Sequence, residues 1–273
     1  MELPLFQVDA FALAPLGGNP AAVVPLEAWL PDALMQAVAE ENHLAETAFF
    51  VPESGAGADF HLRWFTPAVE VDLCGHATLA AAHVLFRELG WEGEAVRFHS
   101  RSGPLAVRRD GARLELDFPA QPGAPHDALD AVAEAVGAAP LELYAAADWM
   151  AVLPDAAAVR AARPDLARVA ALPARGLILT APGDEPGVDF VSRFFAPAVG
   201  VPEDPATGSA HCTLAPYWAD RLGRDTLVAR QLSARLGALD CRVDRAAGRV
   251  AIAGRVFPYL RGTITLPDPA IRP

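Results

Sequence analysis

The segment DFHLRWFTPAVEV, residues 59–71, returns 130 residues later (189 − 59) as DFVSRFFAPAVGV, residues 189–201. Eight of the 13 aligned positions are identical. Chance could explain the Ala and Val matches, because both residues are common in this chain. It does not readily explain why Asp-Phe, Arg and Phe-x-Pro align together. The repeat therefore predicts that one structural design occurs twice in the chain. The identical pairs are Asp59/Asp189, Phe60/Phe190, Arg63/Arg193, Phe65/Phe195, Pro67/Pro197, Ala68/Ala198, Val69/Val199 and Val71/Val201.

The similarity continues beyond this segment, with three more residues in the second copy. The tripeptide GHA at residues 75–77 aligns with GSA at residues 208–210, an offset of 133 (208 − 75). Each copy has the pattern of a strand, a proline-containing loop and a helix. Both helices are expected to end at a glycine, Gly90 or Gly223, because glycine readily adopts a left-handed cap. Pro216 lies inside the second helix pattern and is expected to kink it.

The remaining sequence indicates an α+β fold, so that two pseudo-symmetric α+β domains are expected. The predicted domains are residues 1–113 and 114–261, with residues 262–273 expected to pack back on the first domain and a linker at 118–123. The predicted strands are 4–10, 20–24, 47–51, 60–65, 96–98, 105–109, 114–118, 249–253 and 262–266, and the further predicted helices are 31–42, 128–136 and 155–160.

Composition narrows the class of protein. Hydrophobic residues are 52% of the chain, which is enough for a core and excludes intrinsic disorder. The 22 basic and 34 acidic residues give a net charge of −12, which lacks the positive surface that a phosphate backbone requires. Three cysteines do not build a disulfide framework, and no uncharged apolar run reaches the roughly 18 residues of a membrane span. With no basic flank of a signal peptide at its start, the sequence predicts a cytoplasmic protein that binds neither nucleic acid nor membrane.

Differences between the two copies indicate where the chemistry lies, because a duplicated fold often places its site where equivalent elements face each other. Glu46 has Gly176 as its counterpart at the offset of 130, so one copy carries a carboxylate that the other lacks. The three extra residues of the second copy are expected to introduce Glu203 and Asp204 directly before a helix. Cys74, which precedes the first helix, is replaced by Thr207 in the second copy.

The two predicted helix starts also indicate a kind of ligand. Gly75 and Gly208 each open a helix, whose first N–H groups are unpaired and carry the positive end of the helix dipole. Glycine allows an anion to approach the backbone closely. We therefore expect a small carboxylate or an enolate to bind there, in a site suited to proton transfer beside a carbonyl or carboxylate group.

Four segments together resemble the PhzF-like (phenazine biosynthesis protein) family of the diaminopimelate-epimerase-like superfamily. The resemblance extends from Phe6 to about Gly262 and implies two domains, each a β-barrel-like sheet around a central helix, with the active site between them. The central helices would be those that begin at Gly75 and Gly208, and a homodimer is implied as well. The segments are GNP at residues 18–20, AET at 45–47, CGHAT at 74–78 and EDPATGSA at 203–210.

The resemblance also implies an activity. The best-known member of the family isomerises dihydro-hydroxyanthranilate by moving a proton, without cofactor or metal. Its acid/base glutamate matches Glu46, its supporting histidine His76, its aspartate Asp204 and its serine Ser209. The expected substrate is thus a small-molecule carboxylate, and the residues expected to bind it are Asn19, Cys74, Gly75, Thr207, Gly208 and Ser209.

Two other functions stay open at this point. The chain could be a non-catalytic member that binds a metabolite or serves as a scaffold. It could instead be a Cys74-dependent epimerase, although the epimerases of the superfamily use a cysteine from each half and this chain has Thr207 at the second position. Threonine has no accessible thiolate, which disfavours that mechanism. Cys74, His76 and His83 lack the spacing of a zinc site, and neither a metal nor a cofactor is expected.

Overall fold

The computed structural model describes residues 1–53 and 57–266, which form two units. Unit 1 comprises Met1–Leu116 together with the described residues from Gly254 onward, and unit 2 comprises Asp117–Ala253. Residues 254–261 therefore belong to unit 1, although the sequence analysis assigned them to the second domain. The reason is that the last strand pairs along its whole length with the first strand of the chain.

Unit 1 contains most of the first half of the chain and its final strand. Its helices are α1 (Asp32–Asn42) and α2 (Gly75–Arg87). Its strands are β1 (Glu2–Ala10), β2 (Asn19–Pro25), β3 (Glu46–Pro52), β4 (Phe60–Phe65), β5 (Glu70–Val71), β6 (Ala95–His99), β7 (Leu105–Asp110), β8 (Arg113–Pro119), which crosses the boundary, and β18 (Val256–Thr265).

Unit 2 contains the elements between β8 and β18. Its helices are α3 (Leu129–Val136), α4 (Ala156–Ala161), α5 (Leu166–Ala170) and α6 (Gly208–Leu222), with a 3₁₀ turn at Pro197–Val199. Its strands are β9 (Ala124–Pro125), β10 (Glu142–Ala145), β11 (Trp149–Val152), β12 (Leu177–Pro182), β13 (Phe190–Ala196), β14 (Val201–Asp204), β15 (Thr226–Gln231), β16 (Gly237–Asp244) and β17 (Arg249–Gly254).

The strands of both units pair in the same order. In unit 1, β1 pairs with β18 and β2, β2 runs parallel to β3, β4 pairs with β3 and β5 and runs parallel to β6, and β7 pairs with β6 and β8. Unit 2 repeats this order from β9 through β17. The α+β class and the duplication predicted from the sequence are thus confirmed.

The helix that follows the short strand lies at the centre of each unit. Helix α2 contacts β1, β2, β3, β7 and β18, which come from both ends of the strand order, so the sheet curls around it. Helix α2 is buried on all sides, in agreement with its Ala-rich and Leu-rich sequence. In unit 2, α6 packs on β15 and β16, and Trp218 of α6 donates a hydrogen bond to Thr180 of β12 at 2.9 Å.

Strand register corrects the expected position of the three extra residues. Trp64 pairs with Val71 in unit 1, and its counterpart Phe194 pairs with Asp204 in unit 2. The extra residues therefore lie before Asp204, at the 3₁₀ turn and the irregular register between β13 and β14. Asp204 takes the place of Val71, so its carboxylate arises by replacement and not by insertion.

Glu203 likewise has a counterpart, contrary to the expectation that the second copy introduces it. Arg63 donates two hydrogen bonds to Glu70, at 2.7 and 2.8 Å, and Arg193 donates two to Glu203, at 2.7 and 2.9 Å. Such two-point pairs are the strong form of the Arg–carboxylate bond. These ion pairs brace the same hairpin in each unit.

The two central helices end differently. Gly223, with φ of 66°, follows Leu222 and caps α6, as predicted. Gly90 adopts the predicted left-handed conformation, with φ of 72°, but α2 itself ends three residues earlier, at Arg87. The Trp91 N–H closes the chain back on the Leu85 carbonyl at 2.9 Å. Helix α6 continues through Pro216. Pro216 has no N–H and so cannot donate the usual helical hydrogen bond to the Cys212 carbonyl. That carbonyl accepts a hydrogen bond from the Gln121 N–H at 2.9 Å instead.

The first turns of the central helices share one further bond, which gives unit 2 a pH dependence. Thr78 donates its hydroxyl to the Cys74 carbonyl at 2.6 Å, and His211 in the equivalent place donates its Nδ1 proton to the Thr207 carbonyl at 2.8 Å. His211 is completely buried, and burial lowers its pKa to about 4. The buried His211 ring of the folded protein is therefore neutral at neutral pH.

We expect His211 to make the protein less stable in acid. Because the folded pKa is below that of an unfolded histidine, unfolding takes up a proton as the pH falls from about 6.5 to 4, and the free energy of unfolding drops by about 3 kcal/mol. Replacing His211 by threonine, the residue of the other unit, should remove that part of the pH dependence. Chemical denaturation of both proteins at about pH 7 and pH 4 measures it; equal losses in the two proteins would contradict the assignment.

Candidate active site

Glu46 and His76 form a close pair in unit 1. Glu46 is the first residue of β3, and His76 is the second residue of α2. The Glu46 Oε2 atom lies 3.0 Å from His76 Nε2, with 15% of the Glu46 side chain exposed and 5% of the His76 side chain. A carboxylate and an imidazole are thus held together, with part of the carboxylate side chain exposed.

Asn19 and Cys74 complete the surroundings of His76. The Asn19 side-chain amide lies 3.1 Å from His76 Nδ1, and the Cys74 Sγ atom lies 3.5 Å from the same nitrogen. Asn19 and Cys74 both face Nδ1, which leaves Nε2 as the ring nitrogen that lies 3.0 Å from Glu46 Oε2. These contacts fix the orientation of the ring, so that Asn19 acts on this site through His76.

The charges of this group follow from burial and neighbours. Burial alone would lower the pKa of His76, but Cys74 and Glu46 more than offset it and raise that pKa well above its ordinary value. Burial, and then the Glu46 carboxylate, raise the pKa of the Cys74 thiol to about 11. Cys74 is therefore a protonated thiol at neutral pH and a poor base, while His76 supports a neighbouring carboxylate.

The predicted residues of unit 2 also converge, around Asp204. Asp204 ends β14, and the Thr207 hydroxyl donates to its carboxylate at 2.5 Å. Gln231 of β15 donates to the Asp204 carbonyl at 2.7 Å and to the Thr207 hydroxyl at 3.0 Å, and it accepts the Thr207 N–H at 2.8 Å. The Thr207 side chain thus holds Asp204 in place.

Ser209 lies beside a cation that the sequence analysis missed. Arg175 donates from Nε and Nη2 to the two oxygens of Asp148, at 2.8 and 2.5 Å, and its Nη2 lies 3.2 Å from the Ser209 hydroxyl. Asp148 is 3% exposed and Arg175 is 45% exposed, so the buried acid anchors a guanidinium that reaches the surface. Its Nη1 atom has no hydrogen-bond partner among the described residues.

Register confirms that Gly176 is the counterpart of Glu46. Thr47 pairs with Phe65 in unit 1, and Leu177 pairs with Phe195 in unit 2. A side chain at Gly176 would have to displace the Phe194 ring, because a Cβ atom there would lie 2.6 Å from it. The sequence did contain a signal for Arg175. This charged residue directly precedes Gly176, where the second copy lacks the carboxylate of Glu46.

The structure thus places the predicted site residues in two groups. Gln231, Arg175 and Asp148 join them without having been predicted. Gly75 and Gly208 are the buried first residues of α2 and α6. The group in unit 1 contains Asn19, Glu46, Cys74, Gly75 and His76, and the group in unit 2 contains Asp204, Thr207, Gly208 and Ser209.

The group in unit 1 contains the donor types of a metal site. Ligand atoms of Glu46, Cys74 and His76 lie within 4.8 Å of one another. A thiolate, an imidazole and a carboxylate would suit zinc, with a fourth position open. The same atoms form the acid/base pair, and the expectation that the protein uses no metal stays a prediction.

Comparison with known proteins agrees with this arrangement. The family model described as "Phenazine biosynthesis-like protein" matches residues 8–262. The chain belongs to that family. It is 52% identical, over 97% of its own length and all of the relative's, to a Pseudomonas aeruginosa protein named as an uncharacterized isomerase.

Two solved structures show the same fold. A PhzF-family protein of Enterococcus faecalis is 46% identical, with a TM-score of 0.92 over 97% of this chain and all of that one. A predicted epimerase of Pseudomonas aeruginosa is 28% identical, with a TM-score of 0.77 over the same shares. The resemblance inferred from the sequence motifs is thereby confirmed. No helix in the described part of the chain is both long and apolar enough to cross a membrane.

Proposed function

We propose that this member of the phenazine biosynthesis-like family is a cofactor-independent isomerase that moves a proton within a small carboxylate-bearing metabolite. The observation that carries the proposal is the Glu46–His76 pair, with Oε2 and Nε2 at 3.0 Å in a nearly buried setting. The counterpart of Glu46 in unit 2 is Gly176. A single carboxylate suits a reaction in which one group both removes and returns the proton.

In this mechanism Glu46 is the general acid/base. Its carboxylate takes a proton from one carbon of the substrate, and the electron pair of the C–H bond moves into the adjoining π-system. The protonated Glu46 then delivers the same proton to another atom of the substrate, which balances the reaction without a co-reactant. His76 stabilises the carboxylate between the two transfers, since its Nε2 atom lies 3.0 Å from Glu46 Oε2.

The group in unit 2 would bind the rest of the substrate. Asp204 is suited to hold an amine or hydroxyl group or to relay the proton, and Thr207 fixes its carboxylate. Arg175, with Ser209 beside it, is suited to a carboxylate, because guanidinium and hydroxyl groups both donate to carboxylate oxygens. Backbone N–H groups at Gly75 and Gly208 add further donors. The predicted location of the site between the two domains stays a prediction.

Solvent deuterium tests the proposed reaction. A panel of unsaturated amino and hydroxy acids is incubated with the protein in D₂O, and each acid is followed by NMR and mass spectrometry. We expect one class of acid to isomerise and to gain deuterium at the carbon that receives the proton, to the extent that Glu46 exchanges with solvent. Binding without turnover or exchange across the panel would favour a non-catalytic member.

The competing epimerase mechanism makes a different prediction for Cys74. Since the thiol is protonated at neutral pH and Thr207 is engaged with Asp204, a pair of opposed thiolate bases is disfavoured. We expect Cys74→Ala to retain proton transfer, with changes mainly in substrate affinity. Racemisation by the wild-type protein that disappears in Cys74→Ala would favour the epimerase instead.

We further propose that the protein acts as a cytoplasmic homodimer. Light scattering after gel filtration should then give about twice the chain mass of 28.8 kDa. A mass equal to one chain at the concentrations used for the activity assays would contradict the dimer and leave the proposed chemistry untouched.

A further inference from the structure

Glu53, His61 and His99 form a second cluster of ligand-type side chains in unit 1. His61 of β4 pairs with Val51 of β3 on one side and with His99 of β6 on the other. Glu53 lies two residues beyond Val51. Because alternate residues of a strand point to the same face, all three side chains are placed on one face of three neighbouring strands.

The three side chains converge on one point. The Glu53 Oε2 atom lies 3.1 Å from His99 Nδ1 and 4.0 Å from His61 Nδ1. One ligand atom from each residue lies within 4.8 Å of the other two. The imidazole rings are stacked, with their centroids 4.7 Å apart and an angle of 22° between their planes. Donors that share one ion at about 2.1 Å lie roughly 3–4 Å apart, and both distances from Glu53 fall in that range.

We propose that Glu53, His61 and His99 bind a divalent transition-metal ion, with Zn²⁺, Co²⁺ and Ni²⁺ as the favoured class. Two imidazole nitrogens and one carboxylate oxygen are a common donor set for these ions. Three protein ligands leave at least one position for water, so the site should be exchangeable. The site is separate from the Glu46 group and does not depend on the proposed isomerase activity.

The surroundings of the cluster favour this assignment. The Trp29 ring packs edge-on against His61 with centroids 5.0 Å apart, which fixes one ligand ring. Arg63, the nearest cation on β4, is neutralised by Glu70 and Asp32.

One ring must turn to complete the coordination. Stacked rings direct their lone pairs side by side, whereas two ligands of one ion point towards a common centre. The His99 side chain is 49% exposed, which leaves its ring room to rotate about the Cβ–Cγ bond. A formal net charge of −12 also favours the approach of a cation.

The test is a calorimetric titration of the full chain, without a histidine tag, with Zn²⁺. We expect wild type to bind one ion at this cluster, and the double variant His61→Gln/His99→Gln to lose more than about tenfold in affinity. Cys74→Ala is the matched control, because Glu46, Cys74 and His76 form the other ligand-type cluster. This control should retain the site, and Co²⁺ should broaden the NMR signals of His61 and His99 in both wild type and Cys74→Ala.

Two results would overturn the proposal. One is unchanged Zn²⁺ affinity and stoichiometry in the double variant, with a native circular dichroism spectrum. The other is Zn²⁺ binding that disappears in Cys74→Ala and persists in the double variant, which would place the ion at the Glu46 group. Single variants of His61 and His99 show whether each ring contributes, even if the double variant folds poorly.

Discussion

Replacement of Glu46 by glutamine should abolish proton transfer while the protein stays folded. The amide has nearly the shape of the carboxylate and can still contact His76 Nε2, 3.0 Å from Oε2 in the wild type, but it cannot accept a proton from carbon. General acid–base groups contribute about 10² to 10⁴ in rate, and we expect a loss of at least about 10³ in kcat. The initial rate of isomerisation, followed by NMR, measures the loss directly.

The control for this experiment is Glu41→Gln, which makes the same chemical change at an exposed position near the end of α1. It should retain full activity and the same melting temperature. Substrate binding by Glu46→Gln should be preserved, because the proposal assigns the substrate carboxylate to other residues. Full deuterium exchange by Glu46→Gln would remove Glu46 from the mechanism, and equal losses in both variants would point to a general effect of charge.

The sequence was sufficient to predict the duplicated fold because the repeat includes residues with the same structural task in both units. Arg63 and Arg193 each hold a glutamate of the next strand, at seven residues' distance in unit 1 and ten in unit 2. That difference of three residues is the insertion in the second copy. A comparison without a gap, at the offset of 130, aligns Glu203 with Leu73 and not with a glutamate. Only strand pairing shows that Glu203 corresponds to Glu70 and Asp204 to Val71.

The candidate site was predictable where its residues lie in short motifs and unpredictable where they meet by folding. His76 and Cys74 are two residues apart, and both were predicted from one motif. Gln231 lies 24 residues from Thr207, and Arg175 lies 34 residues from Ser209 and 27 from Asp148. No local sequence pattern links such distant partners. They meet only in the folded chain, where strand pairing and the packing of α6 bring them together.

Arg175 carries the second large expected effect, on substrate affinity. Its guanidinium is anchored by the buried Asp148 and has Nη1 without a partner among the described residues, beside the Ser209 hydroxyl. Hydrogen bonds to charged groups contribute about 1.5–3 kcal/mol. Loss of the guanidinium should therefore raise KM for the carboxylate substrate by roughly 10- to 100-fold, with kcat changed only a few-fold, since the proton transfer belongs to Glu46.

The variant must not leave Asp148 as an unpaired buried charge, because that alone costs about 3–5 kcal/mol of folding stability. The double variant Arg175→Met/Asp148→Asn removes both charges and separates affinity from stability. Its comparison is Arg160→Met/Asp184→Asn, which removes an equivalent pair of exposed charges at α4. Steady-state kinetics with the acid, and binding of its uncharged amide, then distinguish the two roles. If Arg175 anchors the substrate carboxylate, the double variant binds the acid more weakly and the amide as well as wild type does. An equal loss for acid and amide, or an unchanged KM for the acid, would show that Arg175 only supports the fold around Ser209.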